Sequence, residues 1–550
     1  MNIWKKLGHF LSVNAEWFIL SAGILLRLRH LLENRSLWLD EACAAVGITS
    51  ASYREILLNH AILPEFARPP MMFTLLEKAL VSLLGNNEIA LRLFPFISAI
   101  GALAIFAYVS RKILTRRAFY IALALFAIAE PLVYYSAELK QYSTDLLCAI
   151  LLLELARAVL SRGFKLEECL RMALAGAALL WLSNAMIFVL AGITFVFLLN
   201  KPWAKSRGVA LALGATVLIW FISFALLYSV SLRHMVGNAS IIDTWKGAFC
   251  TSPLFSLETI RWAWNLFTLS FENPVGLKWV GLMLPLFVFG AWRLWGRDRN
   301  IMLLWLMPLL FTLFAALMGK YPFYGRVLLF LTAGYYIFIA AAVDELLLLP
   351  RKFIVPVTLV FLSILFYQPV VDAGYFALHS RSKTDNRGAM EFMAEYYHPG
   401  DFIYLGTLAQ PPFWYYAGKT GLSKKFPQPV IGIADGALIR GFKIGKFALD
   451  PKEIDGKKFM FFRYEYNIFD ENGMFRANMG SQKDNQNISY VPLDSAYHYP
   501  STGRTWLVLS GPSALETGVN ALIIGSFNKS AKQLLAFDSF NAGVYLYDMR

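Results

Sequence analysis

Long apolar runs separated by short charged links occupy the first two-thirds of the chain. A helix needs about 20 mostly apolar residues to cross about 30 Å of hydrocarbon. Runs of that order lie near 16–33, 89–112, 118–136, 141–160, 171–183, 184–199, 208–231, 278–295, 300–319, 325–349 and 353–370. The neighbours 171–183 and 184–199 are each short, and read equally as one long helix or as a re-entrant pair. The run from Pro70 to Gly85 is apolar as well, but it holds the adjacent charges Glu77 and Lys78. Mid-bilayer charges cost about 2.5–3.5 kcal/mol each, whereas a helix lying along the interface presents the pair to water.

Charge decides the status of that run. If 70–85 stays at the surface, the cationic links fall on one side: Lys5/Lys6, Arg111 to Arg117, Arg162/Lys165/Arg171, Lys201/Lys205/Arg207, Arg293/Arg297/Arg299 and Arg351/Lys352. The long links 34–88 and 232–277 then face the other side with balanced or acidic charge, and 34–88 becomes a long outer excursion carrying surface helices. The positive-inside rule therefore predicts 11 spans, an inside N-terminus and an outside C-terminal region. Lys5 and Lys6 precede an apolar run with no small-residue cleavage site, so the first helix is expected to be retained.

From about residue 371 the pattern changes to soluble density. Asn386 to Tyr397 has the periodicity of an amphipathic helix, followed by Pro399-Gly400. Strands are expected at Asp401–Gly406, Thr505–Ser510, Ala521–Phe527 and Ala542–Tyr547. The fold class is thus a mainly α polytopic membrane protein, residues 1–370, carrying an extramembrane α/β domain, residues 371–550, on the outer face.

Composition agrees with a bilayer as solvent. Of 550 residues, 57% are hydrophobic and 16% charged, and mean hydropathy is +0.51. Fifteen Trp, 25 Tyr and 44 Phe suit two lipid–water interfaces. A net charge of +14 on a soluble chain would suggest nucleic acid; here the basic residues sit in inter-span links, so the sign reports orientation and no nucleic-acid partner is expected. Cys43, Cys148, Cys169 and Cys250 form no ligand pattern. A Cys43–Cys250 bridge requires an oxidising side for both, and unpaired thiols are the expectation.

The chemistry-bearing residues are polar groups beside apolar runs. The first set is Leu37 to Ala42, with Asp40 and Glu41 just outside the first span. Successive helical residues point about 100° apart, so only one of these carboxylates can enter a given pocket. The plain structural reading is a pair of acids complementing a helix dipole. Arg68-Pro69-Pro70 opens the surface helix, where an exposed Arg at a turn is the plain alternative. Tyr134 to Tyr142 places Glu138 and Lys140 among tyrosines in a short outer link, with Asp145 one turn further in. An aromatic belt around an exposed ion pair would look the same. Lys320 to Arg326 contributes Tyr324 and Arg326, for which snorkelling is the competing account. Arg92 is a weaker cavity candidate, and the Arg27/Arg29/His30 cluster is expected only to pair with acidic neighbours.

The charge-derived topology puts all four sets on the outer face. Together they offer carboxylates for base chemistry and cations for an anion. A sugar carried on a lipid phosphate would match: phosphate at headgroup level, tail in hydrocarbon, acceptor from water. Cations would bind the departing phosphate, and a carboxylate would take the proton of the attacking hydroxyl. A single displacement inverts the anomeric centre.

These motifs, in this order, resemble those of the GT-C membrane glycosyltransferases, especially family 39 with its protein O-mannosyltransferases and lipid A aminoarabinose transferases. Leu37–Ala42 resembles the first-loop acidic motif, which implies Asp40 as catalytic base with Glu41 beside it. Arg68-Pro69-Pro70 resembles a basic residue or His before two prolines, and Asn87–Leu93 the start of the second span. Tyr134–Tyr142 resembles a second-loop motif that usually has Arg where this chain has Lys140, and Tyr321–Arg326 a late-loop motif. The resemblance covers most of 15–350 and implies a polyprenyl-phosphate sugar donor, with Arg68, Lys140 and Arg326 at its phosphate and Glu138, Tyr142, Asp145, Arg92 and Tyr324 lining the cavity. Arg68 stands where relatives often carry His or Lys, and the sequence leaves a divalent cation open. The expectation is an inverting transferase in a bacterial inner membrane, acting on a glycolipid, glycan, cell-wall polymer or protein. The alternative is a transporter or flippase of lipid-linked sugars, which would show mid-membrane charges and repeated halves.

Overall fold

The computed structural model describes residues 3–58, 69–204, 206–236, 245, 247–347, 351–425, 503–511, 524–525, 527–529, 531–539 and 541–549, with short strand segments between 430 and 490. Helices dominate up to Leu378. They run α1 Ile3–Leu32, α2 Leu39–Ser50, α3 Tyr53–Leu57, α4 Met71–Leu84, α5 Glu88–Ile113, α6 Arg116–Ile128, α7 Glu130–Tyr134, α8 Tyr142–Ser161, α9 Leu166–Leu182, α10 Met186–Leu199 and α11 Arg207–Val230. Further helices cover Leu257–Glu272, Val280–Arg297, Arg299–Leu317, Thr332–Leu346 and Arg351–Leu378. Among the described residues five segments are long and apolar enough to cross a bilayer: Glu88–Ile113, Arg207–Val230, Arg299–Leu317, Gly325–Leu346 and Val360–Leu378. The bent pair α6–α7 adds a sixth. The chain is an integral multi-pass membrane protein.

Each apolar run picked out from the sequence falls on helix, and the ambiguity at 171–199 resolves into two helices. The break lies at Ser183-Asn184-Ala185; α9 packs on α11, whereas α10 packs on Arg299–Leu317. The span that opens at Gly325 is nearly enclosed by its neighbours, and Thr332–Leu346 is buried through Asp344. Its closest partner is Val280–Arg297. A Cβ at Gly290 would stand 1.7 Å from the Phe338 carbonyl oxygen, so only glycine permits that approach.

The kink between α6 and α7 is 52°. A break exposes carbonyls inside the bundle, and these need donors. Arg27 supplies them: its guanidinium donates to the carbonyls of Ala127 (2.8 Å), Phe126 (3.2 Å) and Gly23 (2.9 Å). Pairing with acids, as expected for its cluster, holds for Arg29 and His30, which both meet Glu33. It does not hold for Arg27, because the carbonyl end of a helix already attracts a cation.

Two further expectations need correction. Glu77 was expected to face water, yet it is fully buried. It shares a face with Phe73, Thr74 and Val81 at helical spacing, and that face packs inward. Neither carboxylate oxygen has a partner among the described residues, and burial pushes its pKa well above the usual carboxylate range. Lys78 instead donates to the Thr49 carbonyl (3.1 Å). Nor is α2 a surface helix: Glu41 through Ile48 are all buried. Its alanines join Met390, Met393, Phe413, Tyr416 and Trp506 of the C-terminal region in one hydrophobic core.

That region contains helices Asn386–Tyr396 and Gln410–Lys419 against a four-stranded sheet. Strand order is Phe402–Leu405, Gly503–Ser510, Ala542–Met549, Ala531–Ser539, the first pair parallel and the others antiparallel. The last hairpin is closed by Asn541 with φ 58°. Its first strand is not Ala521–Phe527. Within that stretch 521–523 and 526 lie outside the described residues, and 524–525 and 527–529 are helical. The strand Ala531–Ser539 is a largely exposed edge, so it lacks the apolar run that marks a buried strand. All four cysteines are free.

Candidate active site

The N-terminal ends of α2, α8 and the Gly325 span converge. Trp38 holds extended backbone before α2, which puts Asp40 in the first turn facing Arg326. Gly325, at φ 59° and packed on the Asn273 side chain, opens a seven-residue 3-10 helix that carries Arg326. Asp40 and Arg326 form a direct ion pair, and the guanidinium lies 5.0 Å from the Trp38 ring, 5.7 Å from Tyr142 and 5.5 Å from Trp245. Lys140 is buried, its amide donating to the Glu138 carbonyl at 2.6 Å. Glu138 is buried too; Oε2 accepts from Lys383 at 3.3 Å, while Oε1 has no partner among the described residues.

Burial alone would raise the Asp40 pKa, but Lys140, Arg326 and Lys383 together hold it below the ordinary aspartate value. The carboxylate is therefore ionised at neutral pH, and its side chain is 13% exposed.

Glu41 has a different environment. Both oxygens accept from Arg92, at 2.8 and 2.7 Å, and Oε1 also accepts from the Leu139 amide at 2.9 Å. Arg92 further donates to the Arg35 carbonyl at 2.7 Å. Both side chains are 1% exposed. This pair ties α2, α5 and the Glu138–Lys140 link together directly behind Asp40.

The structure thus brings Asp40, Glu138, Lys140, Tyr142 and Arg326 together and sets Glu41 and Arg92 behind them. Asp145 is buried one turn deeper along α8, and Tyr324 is 40% exposed at the rim. Arg68 lies outside the described residues. A divalent cation fits the described donors poorly. Asp40 faces three cations, Glu41 is committed to Arg92, and no three His, Cys, Asp or Glu converge among the described residues.

Sequence reasoning missed Lys383, whose Nζ sits 3.7 Å over the Trp38 ring and 4.8 Å from Tyr134. It also missed how closely the C-terminal region grips the first loop. Leu37 donates to the Tyr416 hydroxyl (2.8 Å), Asn386 donates to the Leu37 carbonyl (2.9 Å), and the Arg387 amide donates to Ser36 (2.9 Å). No periodic signal marks such polar contacts.

No protein-family model and no curated protein matches the sequence. Solved structures align at low identity. The archaeal oligosaccharyltransferase AglB from Archaeoglobus fulgidus, in complex with an inhibitory peptide and a dolichol-phosphate, aligns at 12% identity and a TM-score of 0.44, over 70% of this chain and 58% of that one. This chain therefore spans little more than half the oligosaccharyltransferase's length. ArnT from Cupriavidus metallidurans aligns in the apo state at 13% identity and TM-score 0.45, covering 78% and 86%. Its form bound to undecaprenyl phosphate aligns at 14% and 0.45, covering 76% and 86%. At these values the functional argument rests on the residues themselves.

Proposed function

We infer that this chain is a GT-C-type glycosyltransferase that moves a monosaccharide from a polyprenyl-phosphate donor to an acceptor hydroxyl at the outer membrane face. One observation carries the reading: an ionised, partly open Asp40 among Lys140, Arg326 and Lys383, at the ends of apolar helices. Eleven spans would leave this constellation and the C-terminal domain on the same, extracytoplasmic side.

In this reading the donor phosphate engages Arg326 and Lys140, drawing Arg326 away from Asp40. Asp40 accepts the proton of the acceptor hydroxyl as that oxygen attacks the anomeric carbon. The bond from the anomeric carbon to the phosphate oxygen breaks, its electron pair leaves with the phosphate, and the anomeric centre inverts. A phosphodiester monoanion becomes a monoester that gains charge, which is where preorganised cations act. Glu41, saturated by Arg92 and Leu139, positions Asp40 and takes no proton.

The transporter reading is less well supported, since the described constellation is gathered at the N-terminal ends of α2, α8 and the Gly325 span and not at breaks within long apolar helices. The test is complementation. In a strain lacking this chain, mass spectrometry of surface glycans should reveal a missing sugar that wild type restores and Asp40→Asn, at equal membrane abundance, does not. Restoration by Asp40→Asn would reject the assignment.

A further inference from the structure

Resting on that reading, we propose that Lys383 is a further phosphate-binding residue, delivered from the C-terminal domain, that meets the charge gained by the leaving polyprenyl phosphate.

The segment joining the last apolar helix to Asn386–Tyr396 is pinned from both sides. Arg381 pairs with Glu130 and its carbonyl accepts from Arg35 at 3.2 Å. The Lys383 carbonyl accepts from Asn541 Nδ2 at 3.0 Å, so the terminal hairpin turn fixes its backbone. Asn386 and Arg387 then stitch the chain to Leu37 and Ser36, immediately before Asp40. This fastening carries the ammonium group past Tyr134 and onto the Trp38 ring.

The charged groups facing Lys383 include Asp40, Glu138, Arg326, Glu41 and Arg35, besides those two rings. Glu41 is neutralised by Arg92 and Arg381 by Glu130. Among the remaining described groups, Arg326, Lys383 and Arg35 outnumber Asp40 and Glu138 even with Lys140 set aside, so these groups carry an excess of positive charge. A phosphodiester supplies one negative charge, and the monoester product supplies nearly two at neutral pH, its second pKa being about 6. Lys383 is the cation suited to that second charge. Its one carboxylate partner among the described residues is Glu138 at 3.3 Å, a long single contact, and its side chain is one-third exposed. It can swing from Glu138 to the phosphate while Arg326 and Lys140 hold the first charge.

The experiment uses full-length protein in nanodiscs, with undecaprenyl phosphate as probe and native mass spectrometry as readout. Lys383→Gln should bind about tenfold more weakly than wild type near pH 8, as expected for losing one charge-assisted contact. The loss should shrink near pH 5.5, where the probe is mostly a monoanion with its second pKa about 6. Lys383→Arg should retain most binding, and Asn541→Ala should reproduce part of the defect, whereas a general folding defect would not depend on probe charge. Equal binding by wild type and Lys383→Gln at both pH values overturns the proposal and leaves the transferase reading standing. A wild type that does not bind undecaprenyl phosphate overturns both.

Discussion

Asp40 and Glu41 are neighbours of identical chemistry, yet substitution should affect them in opposite ways. Glu41→Ala removes three hydrogen bonds, two from Arg92 and one from the Leu139 amide, and leaves a guanidinium that is 1% exposed without its counter-ion. Breaking one side of a buried pair costs about 3–5 kcal/mol, because the partner's desolvation is no longer offset. Asp40→Asn deletes a charge on a partly open side chain but preserves its size and its capacity to accept from Arg326. With side chains only 13% and 21% exposed the Asp40–Arg326 pair is not a surface pair, but the hydrogen bond is kept, so the cost should be a fraction of that for Glu41→Ala. Thermal unfolding in detergent, followed by size-exclusion chromatography of a fluorescent fusion, separates the two. Glu41→Ala should melt well below wild type, and Asp40→Asn should melt near it while losing transfer. If Glu41→Ala melts like wild type and only transfer is lost, Glu41 is not the structural tie described here, and the division of labour between the two acids is wrong.

Other consequences are equally direct. Glu77 has a raised folded pKa, so the folded state holds a proton that the unfolded state releases, and stability falls as pH rises above about 4.3. Glu77→Gln should therefore raise the melting temperature at neutral pH and flatten its pH dependence; an unchanged or lower melting point would refute this. Asp40 has the opposite sign. Its lowered pKa keeps it ionised, so transfer should lack an acid limb from this group above about pH 4, the unperturbed value being about 3.9, and a half-loss near neutrality would argue against Asp40 as base. Arg27→Met leaves the Ala127 and Phe126 carbonyls without this donor, at about 1–3 kcal/mol in the same melting assay. Gly290→Ala forces apart the helices that meet at Phe338, so folded yield should drop sharply, and normal yield would show that the approach is not so close.

The bundle was legible because hydrocarbon imposes a simple rule. A spanning segment must be long, apolar and free of unpaired charge, and the runs beginning at 89, 208, 300 and 325 obey it. Glu77 shows where the rule misleads: a carboxylate in an apolar helix was assigned to water because burial is costly, whereas the fold buries it and raises its pKa instead. Edge strand Ala531–Ser539 escaped for the converse reason, since exposed strands carry little hydrophobic signal. At the site, acids and cations next to spans were visible as violations of bilayer chemistry. Lys383 was not, because a lysine in a polar stretch violates nothing.

What joins these observations is the order in which the pieces constrain one another. Arg92 holds Glu41, and Glu41 holds the Leu139 amide, so the link carrying Glu138 and Lys140 is fixed to α2 by a carboxylate that is itself chemically spent. Asp40, one residue earlier and turned toward Arg326, keeps a charged partner that an anion could take away, as Glu138 does in Lys383. The C-terminal region completes the arrangement by gripping Ser36 and Leu37 just before Asp40 and presenting Lys383 to it over the Trp38 ring. Removing that region would therefore alter the site's charge and its first loop together. The C-terminal domain is accordingly part of the site's construction, and substitutions at Asn386 should disturb transfer even though Asn386 is itself buried and bonded to Leu37 and Ser510.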